Sequence, residues 1–509
     1  MRYDSQTHSS DSEFISENIK SQLENQITEN LDNNIIYLRK LFSNSADFVT
    51  KRFNINQNNI IILYCEGMIN LQLVGPLIIE PINQIKFNQK NLTPKNLFNY
   101  LEREIIVASD KNLLFNYNDI FMSIMSGNIV ILIDGVASAI SIEITGFQMR
   151  SITESVNEVD IRSPKESFIE PLRINLTMIR RRIKSPTLKF DNMVVGKTSQ
   201  TSVSLIYLTD VANSRLVEKI KRKLTEVTID VLLDSTYLAT FLAEKKYSVL
   251  PEIGYSERPD VVCGKISEGR VAILVDGCPH AIIVPHLFIE SFQTMDDYTN
   301  RPVYTSFMRF LRFASFFISI LMPGVYVAIS SFHPEMFPQT LLFNVALSQD
   351  ITPFPIMVEA LLIHFIYDLM REAGLRLPRQ IGYAVSIVGA LVIGESAVSS
   401  GIIGAPMVII VALTAITSFI MTTIYQTVCI LKFVFIILGG LGGLYGITLG
   451  VCFLLLNMSS MNTFDVPYLS PISPLNSYFW GDTFIKRNWK YMSKQKIKIQ
   501  DLPGVKKYK

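Results

Sequence analysis

Between Arg379 and Asp465 the sequence offers only two acidic or basic side chains, Glu395 and Lys432. A soluble domain made from such a stretch would have an almost wholly apolar exterior, which water does not tolerate. The region therefore has to be solvated by lipid. The whole chain shows the same bias in diluted form. Of its 509 residues 49% are hydrophobic and 18% are charged, against about 25% charged in ordinary soluble domains.

Phe313 to Phe332 are 20 uncharged residues broken by Pro323-Gly324, and at about 1.5 Å per residue they cover about 30 Å, one hydrocarbon thickness. Three more spans are expected over about 381–401, 405–427 and 431–458. The apolar stretch 354–372 carries Glu359, His364, Asp368, Arg371 and Glu372 and is expected to be either a fifth membrane helix or, as the favoured alternative, an amphipathic helix at the interface. Arg301, Arg309 and Arg312 precede the first span, and Lys486–Lys509 holds nine Lys or Arg against Asp501 alone. The positive-inside rule then puts both termini in the cytosol, which needs an even number of crossings. Four crossings satisfy it but leave Arg371, Arg376 and Arg379 on the outer side, a conflict that six crossings or a re-entrant segment would relieve.

The first half reads differently. Met1 to about Asn34 is polar, with no apolar segment of the signal-peptide kind, so this half is expected to stay cytosolic. Ile27, Leu31, Ile35, Leu38, Leu41 and Phe42 follow helical spacing. Two stretches then resemble each other. Tyr64, Asn70 and Val74 meet Tyr207, Asn213 and Val217 at one offset, and Gly127, Asp134, Gly135, Ala139 and Ile140 meet Gly269, Asp276, Gly277, Ala281 and Ile282 at an offset one smaller. One single-residue indel reconciles them, which indicates an internal duplication. Each copy reads as strand, helix and hairpin, with Asp134-Gly135 or Asp276-Gly277 expected at a type I′ turn. Between them, Ser163 is expected to cap a linker helix with Pro164 at its first position and Glu166 at its third. That helix ends in Arg180-Arg181-Arg182, expected to be a solvated end.

The expected fold class is α/β plus α-helical membrane: two similar small α/β subdomains in tandem, followed by a multi-span helical transmembrane domain. The expected boundaries are a polar lead and helix over 1–50, subdomains over 51–150 and 191–300 around a linker helix at 151–190, a membrane domain over 301–465 and a basic cytosolic tail over 466–509.

Candidate functional residues concentrate in the apolar half. A carboxylate at depth in a bilayer costs about 2.5–3.5 kcal/mol, so Glu395 is expected to face a pore or partner, or else to sit at a helix end near the headgroups. Ser386, Gly389, Ile393, Ser396 and Ser400 share one helical face beside it, a surface suited to pore lining or subunit contact. Gly442, Gly446 and Gly450 recur every four residues, the small-xxx-small spacing that lets helices approach, within one chain or between chains. Chemistry of other kinds is not indicated. A net charge of +2 gives no case for nucleic acid. Cys65, Cys263, Cys278, Cys429 and Cys452 form no CxxC pair, and Cys278 with His280 and His286 lacks the second pair a zinc site needs. No nucleophile or phosphate-loop motif is present, so neither catalytic residues, metal nor cofactor is expected.

Longer motifs carry a resemblance. The run from Arg301-Pro302-Val303-Tyr304 to Phe310-Leu311-Arg312-Phe313, then Ser330-Ser331-Phe332-His333-Pro334-Glu335-Met336, Pro353-Phe354-Pro355 with Glu359-Ala360, and Leu369-Met370-Arg371-Glu372-Ala373-Gly374 with Arg376-Leu377-Pro378-Arg379 resemble the A subunits of GerA-type spore germinant receptors. So do Val385-Ser386-Ile387-Val388-Gly389, Val466-Pro467-Tyr468-Leu469-Ser470-Pro471 and, in the soluble half, Ser163-Pro164-Lys165-Glu166-Ser167-Phe168 with Asn175-Leu176. The resemblance implies a subunit of a nutrient germinant receptor in the inner membrane of a bacterial endospore. It implies partners too: a transporter-like B subunit that binds the germinant, a lipoprotein C subunit, and further copies of the chain forming a path for monovalent cations. The competing expectation is a non-conducting scaffold that holds the transporter-like subunit.

Overall fold

The computed structural model describes residues 25–55, 58–80, 93–102, 111–144, 146, 158, 164–245, 248–377, 392–475, 477–493 and 498–505. They fall into two compact units. The first is Met1–Glu244, Ile253–Pro285 and Lys496–Val505; the second is Lys245–Glu252, His286–Gln495 and Lys506–Lys509.

In the first unit α1 (Leu31–Leu41) precedes β1 (Phe48–Ile55) and β2 (Asn58–Cys65). Then come α2 (Pro94–Tyr100), β3 (Lys111–Leu114), α3 (Tyr117–Met125), β4 (Asn128–Ile133) and β5 (Ala139–Glu143). The strands make an antiparallel sheet in the order β1-β2-β4-β5-β3. From Ile60 in β2 and from Ile129 in β4 the strands are unbroken apolar runs, because both of their faces are covered. Alternating side chains point to opposite sides of a strand, so Ile61, Leu63, Val130 and Leu132 enter a core under α1 and α3, while Ile60, Ile62, Ile129 and Ile131 enter another with Leu97 and Phe98 of α2.

The same unit holds a second sheet. Here α4 (Leu172–Arg182) precedes β6 (Leu188–Val195) and β7 (Thr201–Leu208), followed by α5 (Ser214–Thr225), α6 (Ser235–Leu242), β8 (Gly254–Ser256), α7 (Pro259–Ser267), β9 (Val271–Val275) and β10 (Ala281–Val284). Its order is β6-β7-β9-β10-β8, again antiparallel. The expected strand, helix and hairpin thus omitted both edge strands, β1 and β3 or β6 and β8, and the helix just before the hairpin in each set. β3 and β8 are three or four residues long, too short to leave an alternation to read.

Three expectations are corrected by local chemistry. The loops after β4 and β9 run over 134–138 and 276–280, not two residues. Only their glycines take positive φ, +83° at Gly135 and +85° at Gly277, whereas a type I′ turn needs it twice. The aspartates are used elsewhere: Asp134 Oδ1 accepts the Leu31 N–H at 3.2 Å and Asp276 Oδ1 the Leu172 N–H at 3.0 Å, so each caps the helix leading its sheet. The linker helix starts at Leu172 rather than Pro164. Ser163 lies outside the described residues, Pro171 is the residue before the helix, and Glu166 instead pairs with Arg182 at 2.6 Å. Arg180 is not solvated but 1% exposed. Its Nε and Nη2 donate to Asp47 at 2.8 Å each, Nη2 also donates to Ser45 Oγ at 3.0 Å, Nη1 donates to the Leu188 carbonyl at 3.0 Å, and the guanidinium stacks on Phe190.

The second unit is helical: α8 (Pro302–Phe332), α9 (Gln339–Ile351), α10 (Ile356–Arg376), α11 (Ala405–Ile420) and α12 (Tyr425–Ser460). By length and composition α8 and Thr422–Ser460 could each cross a membrane, and α9 with α10 qualify as one pair bent by 80°. α12 is not one rod. Gly443 has φ 56° and ψ −148°, outside the helical region, and residues beyond it fold back on residues before it. A methyl on Gly450 would lie 2.6 Å from Leu438 and 2.9 Å from Phe435, although a straight helix puts positions 438 and 450 about 18 Å apart. Both ends return to one segment: Thr427 Oγ1 donates to the Val249 carbonyl at 2.5 Å, and Lys245 Nζ donates to Ser460 Oγ at 3.0 Å. The expected span 431–458 is therefore a hairpin of two arms, 425–442 and 444–460, with its tip at Gly443.

The hairpin gives the bundle a direction. Phe332, ending α8, lies at the tip against Gly443, and Met357, opening α10, packs on Gly440. Asp368 of α10 reaches Tyr425, Cys429 and Lys432, so α10 runs from tip to base along the first arm. Of the two alternatives for 354–372, the burial of Glu359, Ala360, Ile363 and His364 in the bundle favours a membrane helix over one lying flat at the interface. The expected span 405–427 stops at Ile420, because Met421 leaves helical geometry at φ −105°, ψ 51°.

Candidate functional site

Where α10 meets the first arm of α12, the bundle gathers ionisable groups. Lys432 Nζ lies 2.9 Å from each Asp368 carboxylate oxygen. That carboxylate also accepts from Tyr425 Oη at 3.1 Å and Cys429 Sγ at 3.4 Å. Arg371, one turn closer to the base, lays its guanidinium over the rings of Tyr425 and Phe419. One turn towards the tip, His364 is 1% exposed and neither ring nitrogen has a hydrogen-bond partner among the described residues. Near the tip Glu359 accepts the Gly404 N–H at 2.7 Å, at the start of α11, where the helix dipole favours a negative charge.

At the base a second cluster fixes the start of α8. Arg309 is fully buried, with Nε donating to Asp297 at 2.9 Å and Nη1 to the Asp482 carbonyl at 2.7 Å. Arg312 pairs with Asp297 at 2.9 Å. Lys486 donates to the carbonyl of Asp297, and its own N–H donates to Ser306 Oγ at 3.0 Å. Burial, and then the charge of Arg309, hold the Lys486 ammonium below the usual lysine range. In the first unit, burial raises the Glu158 carboxyl to about 7, although Ser256 Oγ donates to it at 2.8 Å.

The residues singled out from the sequence are scattered. Ser386 and Gly389 lie outside the described residues. Ile393 and Glu395 belong to the short π-helical turn Val392–Ser396. Glu395, Ser396 and Ser400 are exposed, and Ser400 Oγ donates back to the Ser396 carbonyl at 2.6 Å. Gly401 next to them adjoins Ile351, and Gly404 adjoins Ser348 and Glu359, which puts this segment at the tip end. Gly446 and Gly450 face the other arm at Leu438 and Phe435, while a methyl on Gly442 would meet nothing within 4 Å. Gly324 of α8 and Gly439 bring their backbones together. Cys278 Sγ donates to Asp234 and Ser235 at 3.3 Å, and His286 binds Glu290 and Ser291. Among the described residues no group of three His, Cys, Asp or Glu side chains could hold a metal ion.

The Asp368–Lys432 pair escaped the sequence reading. A signal for it existed in part: a single lysine in a long apolar stretch demands a neutralising acid, with Glu359, Asp368 and Glu395 all candidates in sequence.

Comparison with known proteins gives the bundle a context. The family model described as "Bacillus/Clostridium GerA spore germination protein" matches residues 36–497. The chain is 36% identical over 468 residues to spore germination protein KA of Bacillus subtilis, covering 91% of this chain and 85% of that one. It is 37% identical over 372 residues to spore germination protein GerLA of Bacillus cereus, covering 73% and 76%. Among solved structures, the N-terminal domain of the A subunit of the Bacillus megaterium spore germinant receptor GerK3 matches with a TM-score of 0.42 at 29% identity, over 52% of this chain and 98% of that one.

Proposed function

This chain belongs to the GerA family of spore germination proteins, and from that membership we propose that it is the A subunit of a nutrient germinant receptor in the inner membrane of a bacterial endospore. It works there with a transporter-like subunit that binds the germinant and with a lipoprotein subunit, and copies of the chain assemble into a gated path for monovalent cations. The two sheets of the first unit are tandem copies of one α/β module, and they carry occupancy of the partner to the helices.

The observation that carries this reading is the direction of the bundle. α8 and the first arm of α12 run from base to tip; α10, α11 and the second arm run from tip to base. The described residues thus carry five passes, α8, α10, α11 and the two arms of α12, with α10 and α11 running in one sense. Arg301, Arg309, Arg312, Arg371, Arg376 and Lys486 all then belong to the base. With the base in the cytosol those residues obey the positive-inside rule. Both termini lie on that side. At the opposite end Glu395 and the exposed Ser396 and Ser400 form a polar mouth in which a carboxylate favours cations.

A ligand moves such a gate only by its differential affinity for the closed and open forms, about 5.5 kcal/mol for a switch from 1:99 to 99:1. The test uses spores that carry this receptor as their single nutrient receptor. Glu395→Gln should lower potassium release on germinant addition while leaving receptor abundance unchanged. Normal release from Glu395→Gln together with Ser396→Leu and Ser400→Leu would assign the bundle to the scaffold role instead.

A further inference from the structure

Lys432 is turned away from lipid. It is 3% exposed, and its ammonium is shared between both oxygens of Asp368 at 2.9 Å. His364, on the next turn of α10, is within electrostatic reach of both, and its two ring nitrogens are buried without partners among the described residues. Packing alone does not explain an imidazole there, since each buried nitrogen without a hydrogen bond costs free energy that an isoleucine or leucine would avoid. Access is graded along the bundle. Arg371, Tyr425, Asp368 and Cys429 are half-buried, while Lys432 and His364 are buried. Beyond them an apolar layer of Val327, Ala360, Ile363, Met407 and Ile436 stands before Glu359, which is about 7.5 Å further along α10.

We propose that Asp368, Lys432 and His364 form a proton-relay site inside the membrane bundle of a single subunit, fed from the base and closed towards the tip by the apolar layer. The ligand is a proton, not a metal cation: Lys432 already neutralises Asp368, and Arg371 adds a positive charge, so a metal ion would be repelled. In the transfer an N–H bond at Lys432 Nζ breaks, leaving its electron pair on the nitrogen. Once a shift within the bundle brings a His364 ring nitrogen within hydrogen-bond reach of Lys432, its lone pair takes the proton, and Asp368 neutralises the imidazolium. Hydronium from solvent at the Tyr425 and Arg371 end returns a proton to the amine and leaves as water. Onward passage to Glu359 waits on the apolar layer opening. The charged and titratable groups facing the site are Asp368, Tyr367, Arg371 and Glu359 from α10, Tyr425, Cys429 and Lys432 from α12, and Tyr326 from α8.

This rests on the bundle spanning a membrane but not on a pore between subunits, and the test separates the two. The full-length chain is reconstituted in vesicles holding a pH-sensitive dye, with the membrane potential clamped by valinomycin and equal potassium, and an acid step is applied outside. In parallel vesicles without valinomycin, rubidium efflux is followed. Wild type should acidify the lumen faster than protein-free vesicles, and His364→Gln should fall to the protein-free rate with rubidium efflux unchanged. The paired variant Asp368→Leu with Lys432→Leu, in which no charge is stranded, should lose proton entry in the same way and remain folded. Proton entry through His364→Gln at the wild-type rate overturns the proposal. So does wild type behaving as protein-free vesicles, or proton and rubidium fluxes falling together.

Discussion

Each unit holds a buried ion pair that can be set against the other, Arg180–Asp47 in the first and Lys432–Asp368 in the second, and the two are built to different standards. In the first unit Arg180 is gripped by Asp47 at two points, by Ser45 and by a backbone carbonyl, with Phe190 against its flat face. The guanidinium fork is matched in geometry as well as charge. In the second unit Lys432 is a point charge on Asp368, whose remaining contacts are a tyrosine hydroxyl and a thiol, and a histidine with idle nitrogens lies alongside. The first arrangement is saturated and can only hold. The second has spare hydrogen-bonding capacity, which is what a site that must change state requires.

That contrast can be broken experimentally. Arg180→Ala should destabilise the first unit most, by about 3–5 kcal/mol, because it strands Asp47 in a dry interior; guanidinium-chloride unfolding of the detergent-solubilised chain reads it. A loss below 1 kcal/mol would mean the pair is not the clamp it looks like. Glu158 offers a second probe of the same unit. Its carboxyl is raised to about 7 by burial from an unfolded value near 4.5, so the folded chain holds a proton that the unfolded chain releases between those two values. Its contribution is fully present below the lower value and lost as pH rises through the upper one. Glu158→Gln should therefore flatten the stability profile and leave the variant up to about 3 kcal/mol more stable at pH 8.

Lys432→Met should cost about 2 kcal/mol in thermal denaturation in detergent, less than Arg180→Ala, because Asp368 keeps some exposure and a tyrosine partner. Adding Asp368→Leu should recover most of that loss. If the single and paired variants melt alike, the pair is not coupled and the contrast fails. Smallest of all, Asn34→Ala and Asn175→Ala should each cost about 1–2 kcal/mol. Asn34 exchanges hydrogen bonds with Thr28 at 2.7 and 3.1 Å, and Asn175 does the same with Ile169 at 2.5 and 2.9 Å. Equal losses would sharpen the equivalence of the two helix entries.

What the sequence revealed and what it hid follow one rule: local chemistry is legible, and the identity of a distant partner is not. The apolar runs of β2 and β4 and the aspartate-glycine pairs are visible as patterns, but nothing in Asp134-Gly135 says that its carboxylate caps Leu31. Three consecutive arginines read as a solvated helix end, because the one with a buried acid is indistinguishable from its neighbours until Asp47 is brought beside it. The glycines from Gly439 to Gly450 read as a periodic face on a single helix. Gly443 breaks that helix through its backbone angles, for which the sequence gives only permission, so the reversal, the second arm and the route of α10 were lost together. Lys432 was seen and its acid was not, because the fold that joins them depends on that reversal.

Lys245–Glu252 belongs to the helical unit although its neighbours in sequence belong to the sheets, and it is this short strap that Thr427 and Ser460 grasp. On a ribosome it emerges roughly 180 residues before the first arm that seats it, a delay of some 9–36 s at 5–20 residues per second. Through that interval the strap has no seat, and a fragment ending near position 300 never acquires one. Maturation of this protein is thus ordered backwards along its own length: the last helices made complete a piece laid down in the first half.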